Sequence, residues 1–227
     1  MLMLKGLLGV LSQLALLTAL LLIPAGTWQW PRALQFLAGY GIVLLIATVL
    51  LAMFAPASLE ARLELPAAKS QPVADRVVTA LIVLMAFAWF VFIPIDVFYL
   101  QLLPVPEPFI SGLGALIGLA GYGILILAIF QNEFAVPIVR DQSERGQVLI
   151  DTGLYGLIRH PFYLGFLLFF VGIGLWLESY ASVLMLSILL VLLAARIFIE
   201  EKTLSKSLPG YADYVAKVKY RLLPFVW

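Results

Sequence analysis

The chain has no cysteine and a single histidine, His160, in 227 residues. The first absence excludes disulfides, thiolate metal sites and a cysteine nucleophile. The second excludes a histidine-rich metal site, and no metal is expected. Charge is scarce as well: Asp, Glu, Lys and Arg are 12% of the residues and the formal net charge is +1. So balanced a sum implies no polyanion and no nucleic-acid partner. No P-loop, soluble dinucleotide-binding fingerprint or zinc-protease helix signature occurs along the chain.

What is present is hydrocarbon. Apolar residues make up 63% of the chain, in long uncharged runs. That lies outside the soluble globular range and predicts an all-α, polytopic transmembrane helical bundle. Six apolar stretches reach or approach spanning length: 6–24, 33–54, 77–100, 109–130, 162–177 and 181–198. Lys5 and the run to Leu22 exceed the usual secretory h-region of about 7–15 residues and lack an A-x-A cleavage pattern, so this stretch reads as the first span. The last two stretches are separated only by Glu178-Ser179-Tyr180 and form a tight helical hairpin. The segment 55–76, with Pro56, Pro66 and Pro72, reads as a plain inner loop. Asp96, near the outer end of its span, reads as interfacial, and Trp28, Trp30 and Tyr99 suit an aromatic belt.

Charge placement predicts orientation. With the N-terminus inside, the outer loops 25–32, 101–108 and 178–180 hold one basic residue, Arg32, while the rest, including Lys69, Arg140, Arg145 and Arg221, fall inside. Both termini and the polar segments 131–160 and 199–227 are then cytoplasmic. The chain divides at about residue 131 into N-terminal membrane helices and a C-terminal region, 132–227, with the hairpin and a helical cytosolic tail. Gly114 and Gly118 form a small-xxx-small pair that admits close approach of a neighbouring helix.

Chemistry concentrates where the hairpin opens. His160 precedes Pro161, a residue favoured in the first helical turn, so His160 sits by a helix N-terminus whose unpaired N–H groups favour a polar ligand. Tyr163 follows in the first turn, and Gly165 leaves room for a ligand or a backbone. Arg196 and Glu200 are four apart on one helix face, with Glu201 about 100° away. Taken singly, these residues read as an interfacial histidine, an aromatic anchor and an i,i+4 ion pair. A tight hairpin, however, brings its far ends together, and a carboxylate pair at a helix C-terminus opposes the helix dipole. A compensating cation is required, and the ammonium of a zwitterionic ligand is one candidate.

From 139 to 227 the chain resembles the isoprenylcysteine carboxyl methyltransferase and phospholipid methyltransferase superfamily of integral membrane enzymes. The resemblance rests on Arg140 and Glu144-Arg145-Gly146, then Asp151-Thr152-Gly153-Leu154-Tyr155, then Arg159-His160-Pro161-Phe162-Tyr163-Leu164-Gly165. After the hairpin it continues through Arg196, Glu200-Glu201, Leu204, Gly210-Tyr211, Tyr214 and Tyr220-Arg221-Leu222-Leu223-Pro224. Family members often carry proline where Leu154 stands and a basic residue where Gly156 stands. The resemblance implies S-adenosyl-L-methionine as cofactor, entering from the cytosol between the hairpin and the tail. It implies contacts from Tyr155, Arg159, His160, Tyr163 and Gly165, an ammonium site at Glu200 or Glu201, closure by Tyr211 and Tyr214, and Arg196 near the reaction centre orienting an anionic acceptor. The acceptor is expected to be a lipophilic or lipid-linked molecule from the bilayer. Carboxyl methylation is the first choice and phospholipid N-methylation the nearest competitor, with thiol or amine methylation also open. A general base, His160 or Glu200, is needed only if the acceptor must lose a proton. The expected setting is a prokaryotic inner membrane. The competing class is a non-catalytic membrane transporter or regulatory protein.

Overall fold

A computed structural model describes residues 1–63, 71–134 and 146–227. The elements are α1 (Leu2–Ala25), α2 (Pro31–Phe54), α3 (Pro56–Leu63), α4 (Val73–Ile95), α5 (Pro108–Gln131), α6 (Pro161–Trp176), α7 (Tyr180–Ser207) and α8 (Tyr211–Lys217), and no strand occurs among the described residues. Prolines open α2, α5 and α6, where a missing N–H costs nothing. Gly26 closes α1 in the left-handed conformation, φ 65°. The Ser179 side chain caps α7 by accepting from the Ser182 N–H at 3.0 Å.

Among the described residues, five helices are long and apolar enough to cross a membrane: α1, α2, α4 with its extension to Leu100, α5 and α7. α6, with 16 residues, reaches about 24 Å, short of a ~30 Å hydrocarbon core. It packs mainly on α5 and also on α7, which shelter it. Leu8, Leu84, Leu116, Leu184 and Val191 are all more than half exposed, so the bundle presents hydrocarbon outward, as a polytopic membrane protein does.

The core joins both halves of the chain. Leu21, Trp89, Ile93, Ile173, Leu177 and Leu189, from α1, α4, α6 and α7, belong to one buried cluster. Trp89 also donates its indole N–H to the Ser182 carbonyl at 2.7 Å, which ties α4 to the start of α7. α5 and α6 run antiparallel at backbone contact. A Cβ on Gly172 would collide with the Gly118 amide nitrogen, and one on Gly114 would lie 2.9 Å from the Gly172 carbonyl. The small pair noted in α5 therefore meets glycines of α6.

Four features differ from the sequence expectations. α7 runs to Ser207 instead of ending at 198, because nothing in Glu200-Glu201-Lys202 breaks a helix. The stretch 55–76 is not a plain loop: it contains α3 and the first turn of α4, including Asp75. Trp30 is buried and meets Phe98 edge-on at 5.2 Å, whereas Trp28 is exposed. Asp96 is buried, not interfacial. It accepts from the Ser179 hydroxyl at 2.7 Å and the Leu102 N–H at 3.0 Å. The polar hairpin turn, sealed from water, needs such an acceptor. Pro66, Lys69, Arg140 and Glu144-Arg145 lie outside the described residues.

Candidate functional site

The site is built where the loop before α6, the end of α7 and the tail meet. Gly153 takes φ +59°, against the Gln131 side chain, and starts a tight turn. The Leu154 N–H donates to Gln131 Oε1 at 2.9 Å, anchoring the loop to the end of α5. A proline there would lack that donor, which gives a physical reason for leucine at this position. The loop then runs to His160, and α6 begins at Pro161 as expected. Two backbone bonds hold it to the tail: the Arg159 and His160 N–H groups donate to the Tyr220 and Arg221 carbonyls, each at 2.9 Å.

The two carboxylates of α7 have separate jobs. Glu201 Oε1 accepts from Arg159 Nε at 2.7 Å and lies 3.3 Å from His160 Nε2, while Oε2 accepts from Arg221 Nε at 2.9 Å. Arg159 also donates to the Val218 and Lys219 carbonyls, at 2.7 and 3.0 Å. Glu201 is thus the clamp that closes loop, helix and tail together. Because α7 continues to Ser207, Glu201 does not stand at the helix C-terminus as expected, and arginine side chains, not a ligand, balance its charge. Glu200 is different. Its Oε2 accepts from the Tyr163 hydroxyl at 2.6 Å, and His160 Nδ1 is 3.8 Å away. Among the described residues, its Oε1 accepts no hydrogen bond.

Glu200 faces a cavity of about 90 Å³. Tyr155, Arg159, His160, Tyr163, Tyr211 and Tyr214 line it too, so seven of the expected residues converge on one space. Leu149, Phe162, Leu204 and Leu208 supply apolar wall. Burial raises the phenols of Tyr155, Tyr211 and Tyr214 above their ordinary value, reinforced at Tyr155 and Tyr211 by nearby glutamate charge. They therefore face the cavity as neutral hydroxyls. Tyr214 donates to the Tyr155 carbonyl at 2.8 Å, so α8 is fastened to the loop before α6. Farther out, Lys217 draws the exposed Asp151 carboxyl below its usual range, through a contact of 2.8 Å.

Three expected residues do not line the cavity. Glu201 is taken up by the clamp. Gly165 faces α5, where an added Cβ would lie 2.7 Å from the Gly121 carbonyl, so its clearance serves helix packing. Arg196 is buried behind Tyr163. It donates from Nε to the Tyr163 hydroxyl at 2.9 Å and from Nη1 to Thr79 Oγ1 at 3.0 Å, with Asp75 Oδ1 3.9 Å away. Asp75 and Thr79, on α4, escaped the sequence reading because both were placed at or beside a loop. The available signal was an acid and a hydroxyl four apart beside a span, one helix face aimed at a buried cation.

A larger apolar chamber, about 650 Å³, adjoins this cavity inside the bundle. Phe162 lines both spaces. Tyr40, Tyr122 and Phe169 form the wall between the chamber and a groove of about 340 Å³ among α2, α5 and α6. Tyr40 lies 5.6 Å, centroid to centroid, from each of the other two rings.

The donor set can be tested against a sulfonium nucleoside with an amino-acid arm. A carboxylate oxygen without a hydrogen bond suits its ammonium, guanidinium and imidazole suit its carboxylate, and aromatic and leucine walls suit its purine. The residues fit the group in kind. Residues 111–209, under half of the chain, match the family model described as phospholipid methyltransferase. The match takes in most of α5 and all of α6 and α7, and stops short of Tyr211 and Tyr214. No curated protein and no solved structure matches the chain.

Proposed function

We propose, from the match of residues 111–209 to that family model, that the chain is an S-adenosylmethionine-dependent methyltransferase acting on a lipophilic acceptor at a membrane surface. The observation that carries the reading is Glu200. One of its oxygens is fixed by Tyr163, and it faces a cavity walled by aromatic rings and leucines. The adjoining apolar chamber supports a hydrocarbon-bearing acceptor, since a water-soluble one would gain nothing from such a wall. The positive-inside bias supports a cytoplasmic site.

The cofactor supplies an electrophilic methyl: the S–CH3 bond breaks as an acceptor lone pair bonds to carbon, and its electrons return to sulfur. The protein supplies position and dryness. Glu200 holds the ammonium, with Tyr163 fixing its carboxylate in one orientation. Arg159 and His160 take the opposite charge of the amino-acid arm. Phe162 is the partition at which acceptor and methyl meet. Orienting two reactants drawn from different phases is worth roughly 7–11 kcal/mol of barrier in favourable cases. A carboxylate acceptor loses no proton and becomes a neutral ester. An amine acceptor must release a proton, and His160 and Glu200 are the groups on the cavity wall that can take it. The cavity is smaller than the ~300 Å³ at which ligand sites begin, so α8 or the 147–150 segment yields on binding.

The test is mass spectrometry of lipid extracts after the detergent-purified protein and membrane lipids are incubated with methyl-deuterated cofactor. The expected result is a labelled lipophilic product that is absent with Glu200→Gln. Label found in no lipid, together with no binding of S-adenosylhomocysteine in calorimetry, overturns the reading.

A further inference from the structure

The matched segment contains Glu200, Tyr163 and Arg196, but Arg196 meets its counter-charge on α4, outside that segment. Arginine can only donate, so Arg196 Nε fixes the polarity of the Tyr163 hydroxyl. That oxygen accepts from Arg196 and must turn its own proton to Glu200. Arg196 and Glu200 are also four apart on α7, the spacing of a direct ion pair. The hydroxyl instead stands between them, and Arg196 is drawn toward α4. There Thr79 accepts one N–H at 3.0 Å, and the fully buried Asp75 carboxylate lies at 3.9 Å. Asp75 is itself oriented by Gln71 Nε2, which donates to its Oδ2 at 2.6 Å.

We infer that Asp75 is a positioning residue for the cofactor site: by balancing Arg196 it keeps the Glu200 charge directed at the cavity. This rests on the reading of Glu200 as the ammonium site. Without the α4 carboxylate, a guanidinium behind Tyr163 has one acid in reach on its own helix face, Glu200, and turning there would quench the charge that recruits the ligand. Asp75 touches neither cavity, so it acts only through Arg196 and Tyr163.

The experiment measures S-adenosylhomocysteine affinity by calorimetry, and thermal midpoint in detergent, for the full chain. The variants are Asp75→Asn, Asp75→Glu, Arg196→Met and the double Asp75→Asn/Arg196→Met. Asp75→Asn is expected to weaken affinity about tenfold or more, while Asp75→Glu stays near wild type. The double variant should recover affinity relative to Asp75→Asn, because the unbalanced guanidinium is gone. A role in stability alone predicts no such recovery. If Asp75→Asn fails to fold, the comparison of the double variant with Arg196→Met decides: equal affinities support the inference. Wild-type binding that is unchanged in Asp75→Asn, or no recovery in the double variant, overturns it. Absence of binding to the wild-type chain overturns the functional reading, and this inference with it.

Discussion

Arg159 Nε lies 2.7 Å from Glu201 Oε1, across the mouth of the hairpin from the loop before α6 to α7. Arg159 is buried and Glu201 is mostly so, with 12% of its side chain exposed, and Arg221 engages the other Glu201 oxygen from the tail. Neighbouring glutamates on α7 thus differ in kind: Glu201 joins the structure together, and Glu200 faces the cavity.

Glu201→Gln is expected to destabilise the protein, not merely to weaken binding. Removing one partner of a buried charge pair costs on the order of 3 kcal/mol, because the charges left behind are uncompensated. Differential scanning fluorimetry in detergent should show a clear fall in melting temperature, with faster tryptic cleavage after Lys217 and Lys219. A variant as stable as wild type, with only cofactor affinity reduced, would return Glu201 to the ligand site.

Glu200→Gln should do the reverse. A charge-assisted hydrogen bond is worth roughly 1.5–3 kcal/mol, or about 10–150-fold in affinity. Calorimetry with S-adenosylhomocysteine should register that loss at a nearly unchanged melting temperature. Wild-type affinity in this variant would mean that the ammonium, if it binds, binds elsewhere.

Gly172→Val probes the α5–α6 contact. Its Cβ would overlap the Gly118 backbone, which has no side-chain freedom with which to move aside. Overpacking of this kind costs about 1–3 kcal/mol and often more against backbone. Gly112→Ala, whose Cβ meets nothing within 4 Å, is the control and should be silent. Equal melting temperatures for the two variants would refute the close packing.

At the opposite end of the bundle, Ser179→Ala removes the cap of α7 and the hydroxyl that Asp96 accepts from. The expected cost is about 1–3 kcal/mol, since a buried acceptor loses its donor. Asp96→Asn should be milder, because the amide oxygen keeps the Leu102 N–H while the NH2 group faces the Ser179 oxygen, which can turn to accept from it. Equal, negligible effects would indicate that water reaches this turn.

The tail should loosen in alkali. Burial raises the Tyr214 phenol, so the folded protein holds that proton more tightly than the unfolded chain does. The associated stability is complete below the ordinary phenol value of about 10 and is lost as pH climbs through the higher folded value. The difference in phenolate absorbance between wild type and Tyr214→Phe should therefore titrate above that ordinary value. A midpoint at or below it would show the α8 hydroxyl to be solvated.

The membrane class, the approximate spans, the hairpin and the residues at its mouth were legible in the linear order. Hydrophobic length is a local property, and a three-residue turn leaves two helices only one way to meet. The Gly114–Gly118 pair was legible as a packing surface, although its partners on α6 were not. What remained hidden was pairing across distance. Nothing local separates Glu200 from Glu201, because the distinction comes from Arg159 and Arg221, which arrive from other segments. Asp75 looked like a loop acid and Asp96 an interfacial one. Each is buried by its neighbours, and a buried charge takes its meaning from the partner that tertiary packing supplies.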